Sequence, residues 1–258
     1  MGFRIDGSSH ESGILNEANF IERISGSHGL KCFPSLKGYR YTVEAKGGTK
    51  NKADCTILFA NRAIDVSNKK KEKLRIGSFD WINTSSYVKA NQTNFQPAYN
   101  TYLYYKMSHK PKEEARTALK KACNRTLRGL SSLDLKSILR SQVIEKNKNI
   151  QVVITDQETR TDYVFPFSSH PINKVINTYN LSLDLPQNST TQESARIVFN
   201  RGDDELDLGL RIRLCTNNGI TKLIGPGNCS LVIKIQQDKC DKLIEEVKKT
   251  GNLKVIKF

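Results

Sequence analysis

The sequence predicts an α+β protein with a central mixed β-sheet flanked by helices, and three observations carry that prediction. An apolar stripe at helical spacing comes first, in residues 13–25. Two short apolar runs, 53–60 and 62–68, follow it as a candidate hairpin. A long leucine-bearing segment then gives way to a second set of strands, so the order is helix, strands, helices, strands.

Taken along the chain, "GILNEANFIERIS" (13–25) sets Ile14, Ala18, Ile21 and Ile24 on one helical stripe, with Glu17 beside it. "GYRYTVEAK" (38–46) alternates as a strand does, and "GGTKN" after it is a turn. "ADCTILFA" and "RAIDVSN" form an antiparallel hairpin around Asn61–Arg62, and "NKKKEKLR" (68–75) is a basic connection into "IGSFDWINTSSY". From about 98 to 149 the pattern is helical: "KEEARTALKKACNRTLRGL" and "SLDLKSILRSQVIEKN" space their leucines three and four apart. Strands are expected at 149–155 and 163–167, and a short helix at 171–180. The loop 184–194 is the best internal linker; strands at 195–200, 208–215 and 230–237 and a helix at 241–249 follow it. There are no internal repeats.

The 258 residues suffice for one large domain or two lobes sharing a core, and 37% apolar with 26% charged is ordinary for a globular chain. The charge balance is not ordinary. Lys plus Arg number 41 against 26 Asp plus Glu, a net charge of +15 that favours a polyanionic partner. No apolar run approaches the roughly 18 residues that span a bilayer. "MGFRIDGSSHESG" lacks the apolar core of a signal peptide, and Asp6 stands where a myristoylation signal needs Ser or Thr. The six cysteines (32, 55, 123, 215, 229, 240) form no CxxC pair, so neither a zinc motif nor a disulfide framework is indicated. Reduced thiols in a cytoplasmic setting, that of a bacterial or phage-infected cell, are the expectation. His10, His28, His109 and His170 fall in no nuclease or metalloenzyme motif.

"KADCTILFANRAIDVSNKKK" (52–71) carries the chemistry. Asp54 opens one apolar strand and Asp65 sits between Ile64 and Val66 in the next. Spacing alone admits two readings, a metal-binding pair or two solvent-facing strand residues. Metal-dependent phosphodiester cleavage needs carboxylates to hold Mg²⁺ and a nearby lysine to offset charge in the transition state. Glu44-Ala-Lys46 is an acid-x-Lys triplet, but it precedes Asp54 and so reverses the order such a site uses.

These stretches resemble the PD-(D/E)xK nuclease superfamily, and more narrowly its small HinP-type type II restriction endonucleases. "LNEANFIERI" resembles the first helix, whose Glu points into the active site. "NKADCTIL" and "IDVSNKK" resemble the two catalytic strands. "VIEKNKNIQVVITDQETRTDYV" and "GLRIRLCTNNG…GNCSLVIKIQQDK" resemble a later strand-turn-strand and a closing hairpin.

The resemblance implies a restriction-endonuclease-like core in one nuclease-like domain, 1–258. Residues 1–97 would be the catalytic half and 98–258 a helical and β-rich half that contacts DNA. It implies Mg²⁺, with Mn²⁺ as substitute, held by Glu17, Asp54 and Asp65. The lysine place falls on Ser67, so Lys69 or Lys70 would have to reach back, or catalysis would be impaired and DNA binding alone remain. The substrate implied is double-stranded DNA. Read beside such a site, Lys69, Lys70, Lys71, Lys73 and Arg75 either grip phosphates or form a solvated loop, Trp81 either approaches the duplex or packs in the core, and Arg211 and Arg213, on one face of their strand, contact phosphates or guanine edges. Monomer and homodimer both stay open. An RNA-binding basic protein is a further alternative.

Overall fold

The computed structural model describes residues 8–46, 53–71, 88, 90–108, 112–185, 195–217, 228–235 and 240–258. In chain order the elements begin with α1 (Ser8–Ser25), α2 (Ser27–Cys32), β1 (Tyr41–Ala45), β2 (Cys55–Phe59) and β3 (Arg62–Lys71). Helices α3 (Gln92–Met107), α4 (Lys112–Arg128) and α5 (Ser132–Ile138) follow, the last running into a π-helical turn at Leu139–Ile144. Then come β4 (Gln151–Asp156), β5 (Thr161–Pro166), α6 (Ile172–Thr178), β6 (Asn180–Asp184), β7 (Ala195–Arg201) and β8 (Asp204–Leu206). The remaining elements are β9 (Leu210–Asn217), β10 (Asn228–Ile235), α7 (Cys240–Lys248) and β11 (Lys254–Lys257). The chain is mixed α/β, as its sequence predicts.

Two compact units divide these elements. One gathers Met1–Gly77, Lys146–Pro171 and Cys240–Phe258; the other takes Ser78–Glu145 and Ile172–Lys239. The units therefore do not follow a division at 97/98, because 146–171 and 240–258 group with the N-terminal segment.

The first unit is built on a six-stranded sheet in the order β1-β2-β3-β4-β5-β11. Every neighbouring pair is antiparallel except β3 and β4, which run parallel. One face buries Cys55, Ile57, Phe59, Val66, Val153 and Val164 against Phe20 and Ile24 of α1 and against Cys32, Phe33 and Leu36. Of the expected stripe, Ile24 is buried and Ile21 packs against the core, but Ala18 and Ile14 (55%) are exposed; Asn16 and Phe20, at i and i+4 before Ile24, take their place on the buried face. The β2–β3 turn is Ala60–Asn61, both at positive φ (43° and 60°), one residue before the expected corner. That backbone matches the twist of a two-residue hairpin.

The second unit contains a sheet in the order β10-β9-β7-β6, with β8 paired to β7. α3 and α4 pack together, and α4 buries Ala115, Leu119, Cys123 and Leu127 along one i, i+4 row. A capping box starts α5: Ser131 Oγ accepts from Asp134 N–H at 3.2 Å, and Ser131 N–H donates to Asp134 Oδ2 at 2.9 Å. Strands β6 and β11 had no sequence expectation. Cys32, Cys55, Cys123 and Cys240 are buried. Among the described residues, no helix is long and apolar enough to cross a membrane.

Candidate functional site

Asp54 stands one residue before β2 and is pinned by its own main chain. Its N–H donates to Val66 O at 2.8 Å, and its carbonyl accepts from Lys46 N–H at 2.9 Å. Because Cys55 pairs with Val66, Asp54 falls opposite Ser67. Strand alternation then sets Asp54, Thr56, Asp65, Ser67, Lys69 and Lys71 on one face. Cys55, Val66, Asn68 and Lys70 take the other.

Three donors converge on Asp54 Oδ2. They are Asn68 N–H at 2.6 Å, the Ser67 hydroxyl at 3.1 Å and Lys69 Nζ at 3.4 Å. The Asp54 side chain keeps 19% of its surface exposed, so it is held and still reachable by solvent. Asp65 lies two positions before Ser67, is exposed, and accepts from the Thr56 hydroxyl at 2.6 Å. Glu17 is half-buried on α1. All three acids act on one sulfur. Burial first, and then the charges of Asp54, Asp65 and Glu17, push the Cys55 thiol up to about 12. Asp54 and Asp65 share one strand face, whereas Glu17 comes from α1, which packs on the other; among the described residues the three acids do not form a close ligand cluster, so the expected three-carboxylate set is not brought together.

The lysines separate clearly. Lys69 pairs with Asp54, whereas Lys70 stands on the opposite strand face. The triplet that meets Asp54 is Ser67-Asn68-Lys69, two residues later than the Asp65-Val66-Ser67 alignment expected from the sequence. Ser67 thus occupies the place opposite Asp54, and a cation does follow it. Further along the same face, Lys71 Nζ bridges Asp156 at 3.0 Å and Asp241 at 2.6 Å. Burial would lower the Lys71 ammonium, but these hydrogen bonds outweigh it and hold it above its ordinary value. Asp156 also accepts the N–H groups of Glu158 and Thr159 at 3.0 and 3.1 Å. Burial would raise its carboxyl; the Thr159 N–H and Lys71 hold it below its ordinary value instead.

Under the site, on the other face, runs a buried polar row that the sequence did not reveal. Gln157 Nε2 donates to Asn16 Oδ1 at 3.0 Å, and Asn16 Nδ2 to Asn68 Oδ1 at 2.6 Å. Asn68 Nδ2 donates to Thr155 Oγ1 at 2.7 Å, and that hydroxyl donates to Asp162 Oδ1 at 2.7 Å. The row anchors the Asn68 side chain on one face, while the Asn68 N–H donates to Asp54. The usable signal was Asn16, a polar residue one turn before Phe20 on the buried stripe.

Of the other expected contacts, Arg211 is committed to Asp207 at 3.4 Å, and Arg213 keeps a buried Nε without a partner. Lys73, Arg75 and Trp81 lie outside the described residues.

Asp54 offers a hard carboxylate oxygen, with the Ser67 hydroxyl beside it and Asp65 on the same strand face. An all-oxygen set with one or two carboxylates fits Mg²⁺ or Mn²⁺, which retain several waters. No family model, curated protein or solved structure matches the chain.

Proposed function

We propose that the chain is a Mg²⁺-dependent, site-specific endonuclease acting on double-stranded DNA in the cytoplasm. The observation that carries this reading is the Asp54–Lys69 pair, 3.4 Å apart on neighbouring strands and open to solvent. The +15 net charge supports a polyanionic substrate.

In this reading Asp54 would bind the cation, with Asp65 on the same strand face adding negative charge. Mg²⁺ held there supplies a polarised phosphoryl oxygen and a water of lowered pKa. Ser67 and the Asn68 N–H hold Asp54 Oδ2, which fixes the direction of the carboxylate. Lys69 offsets charge that develops on the phosphate.

The test is supercoiled, unmethylated plasmid with Mg²⁺ or Mn²⁺, followed by sequencing of the cut ends. Asp54→Ala is expected to lose cleavage by at least about a thousandfold while DNA binding survives. Plasmid left intact at high protein excess with both metals would refute the enzyme.

A second reading, a DNA-binding protein of impaired catalysis, draws on one observation. The place opposite Asp54 carries a hydroxyl and not a second carboxylate. If the native chain is silent and Ser67→Asp cuts, this second reading stands. Stronger retention on structured RNA than on duplex DNA at equal salt would refute both readings.

A further inference from the structure

On the face of the first sheet opposite Asp54, α1, α2 and β5 bring another group of side chains together. His28 and Cys32 are four residues apart on α2, so one turn stacks them on the same side. Asp162 comes from β5. One ligand atom from each of the three lies within 4.8 Å of the other two. Cys32 and Asp162 are wholly buried, and the His28 side chain keeps 11% of its surface.

Their surroundings fix them in place. His28 Nε2 sits 2.8 Å from Asp162 Oδ2. Asp162 Oδ1 accepts from the Thr155 hydroxyl at 2.7 Å, and Arg23 Nη2 spans both oxygens at 3.3 Å. Arg23 in turn lies over the Phe258 ring, 4.0 Å from its centre. Gly29, between the two α2 residues, permits the close seat of that helix. A Cβ there would fall 2.0 Å from Ile24 O and 2.8 Å from the Tyr41 hydroxyl.

We propose that His28, Cys32 and Asp162 bind a borderline-soft divalent cation, with Zn²⁺ the best match, at a site separate from Asp54. The donor set decides the metal. Imidazole nitrogen and thiolate sulfur select Zn²⁺ over Mg²⁺, and one carboxylate oxygen completes three protein ligands, leaving the fourth place to water. The hydrogen bonds on Asp162 are the kind that orient a ligating carboxylate from outside. Without a cation the Cys32 thiol stays protonated, since burial and then the Asp162 charge push it up to about 12. Binding expels that proton. The cation and the Arg23 guanidinium then face one thiolate and one carboxylate, with the imidazole neutral and its proton on Nδ1. The exposed edge of His28 is the way in. The cation would tie α2 to β5, a role independent of any nuclease activity.

The experiment uses the full chain, stripped with a chelator and titrated with Co²⁺ as the spectroscopic probe. The expected result is a thiolate-to-cobalt charge-transfer band that saturates at one equivalent and disappears on adding Zn²⁺. The band persists in Asp54→Ala and is absent in Cys32→Ser. His28→Gln, checked for folding by circular dichroism, is expected to bind roughly tenfold or more weakly. Zn²⁺ should also raise the Tm of the native chain. No band in the native chain, an undiminished band in Cys32→Ser, or unchanged affinity in His28→Gln would each overturn the site. His28–Asp162–Arg23 would then be a hydrogen-bonded clamp alone. If Cys32→Ser does not fold, His28→Gln decides.

Discussion

Asp54 and Asp162 lie on opposite faces of one six-stranded sheet, and their neighbours make them different chemical objects. Asp54 takes a hydroxyl, an amide N–H and a lysine on a single oxygen and keeps 19% of its side chain exposed. Asp162 is fully buried, with a hydroxyl, an imidazole and a guanidinium shared over both oxygens. A carboxylate with solvent access can take a new ligand at little cost. One buried among donors is tied to the fold, because removing it strands its partners, and it can meet a cation only where a neighbour such as the His28 imidazole becomes a fellow ligand.

The largest effect expected from this contrast is on stability. Asp162→Ala leaves Arg23, His28 and Thr155 without their acceptor and should cost about 3–5 kcal/mol in urea unfolding. A loss under about 1 kcal/mol would break the comparison. Next comes activity. Lys69→Ala should lower cleavage about a hundredfold, and Lys70→Ala, on the other face, less than about threefold. Equal losses in the two would mean that strand face does not decide which lysine matters.

The smallest effect concerns Asp156, which shares the Asp54 face but is tied to Lys71. Asp156→Asn should cost about 1–3 kcal/mol at pH 7. Its folded carboxyl is held below the ordinary value, so the stabilisation is complete above the unfolded value of about 3.9. It fades as pH falls through the lower folded value. Native and variant stabilities should therefore converge in acid, which denaturant titrations at pH 7, 5 and 3 would show.

Much of this was legible along the chain. Alternation at 55–59 and 62–68 gave the hairpin, and the acid before an apolar strand gave Asp54. Register was not legible, because it depends on the pairing of Cys55 with Val66; without it Asp65-Val66-Ser67 looked like the triplet. Half of the α1 stripe, Ile21 and Ile24, was legible; Asn16 was not, because it is polar and yet buried through Asn68. Asp162 falls between the strands expected at 149–155 and 163–167, and its partners Arg23 and His28 are 139 and 134 residues away. The His28–Cys32 spacing was the one local clue to it. β11 is only four residues long, too short for alternation to announce a strand.

The parallel pairing of β3 with β4 has a consequence for how the protein is made. β3 closes at Lys71, yet its partner begins at Gln151, and β11 joins β5 only from residue 254 onward. On a ribosome that delivers the chain from its N-terminus, the hairpin holding Asp54 and Lys69 exists long before the strand that flanks it. The first sheet can close only after most of the other unit has been synthesised. Such long-range closure makes for slow folding. In the interval, β3 offers an open edge that carries Asn68 and its three following lysines, a charged border of the kind that discourages premature pairing with other chains.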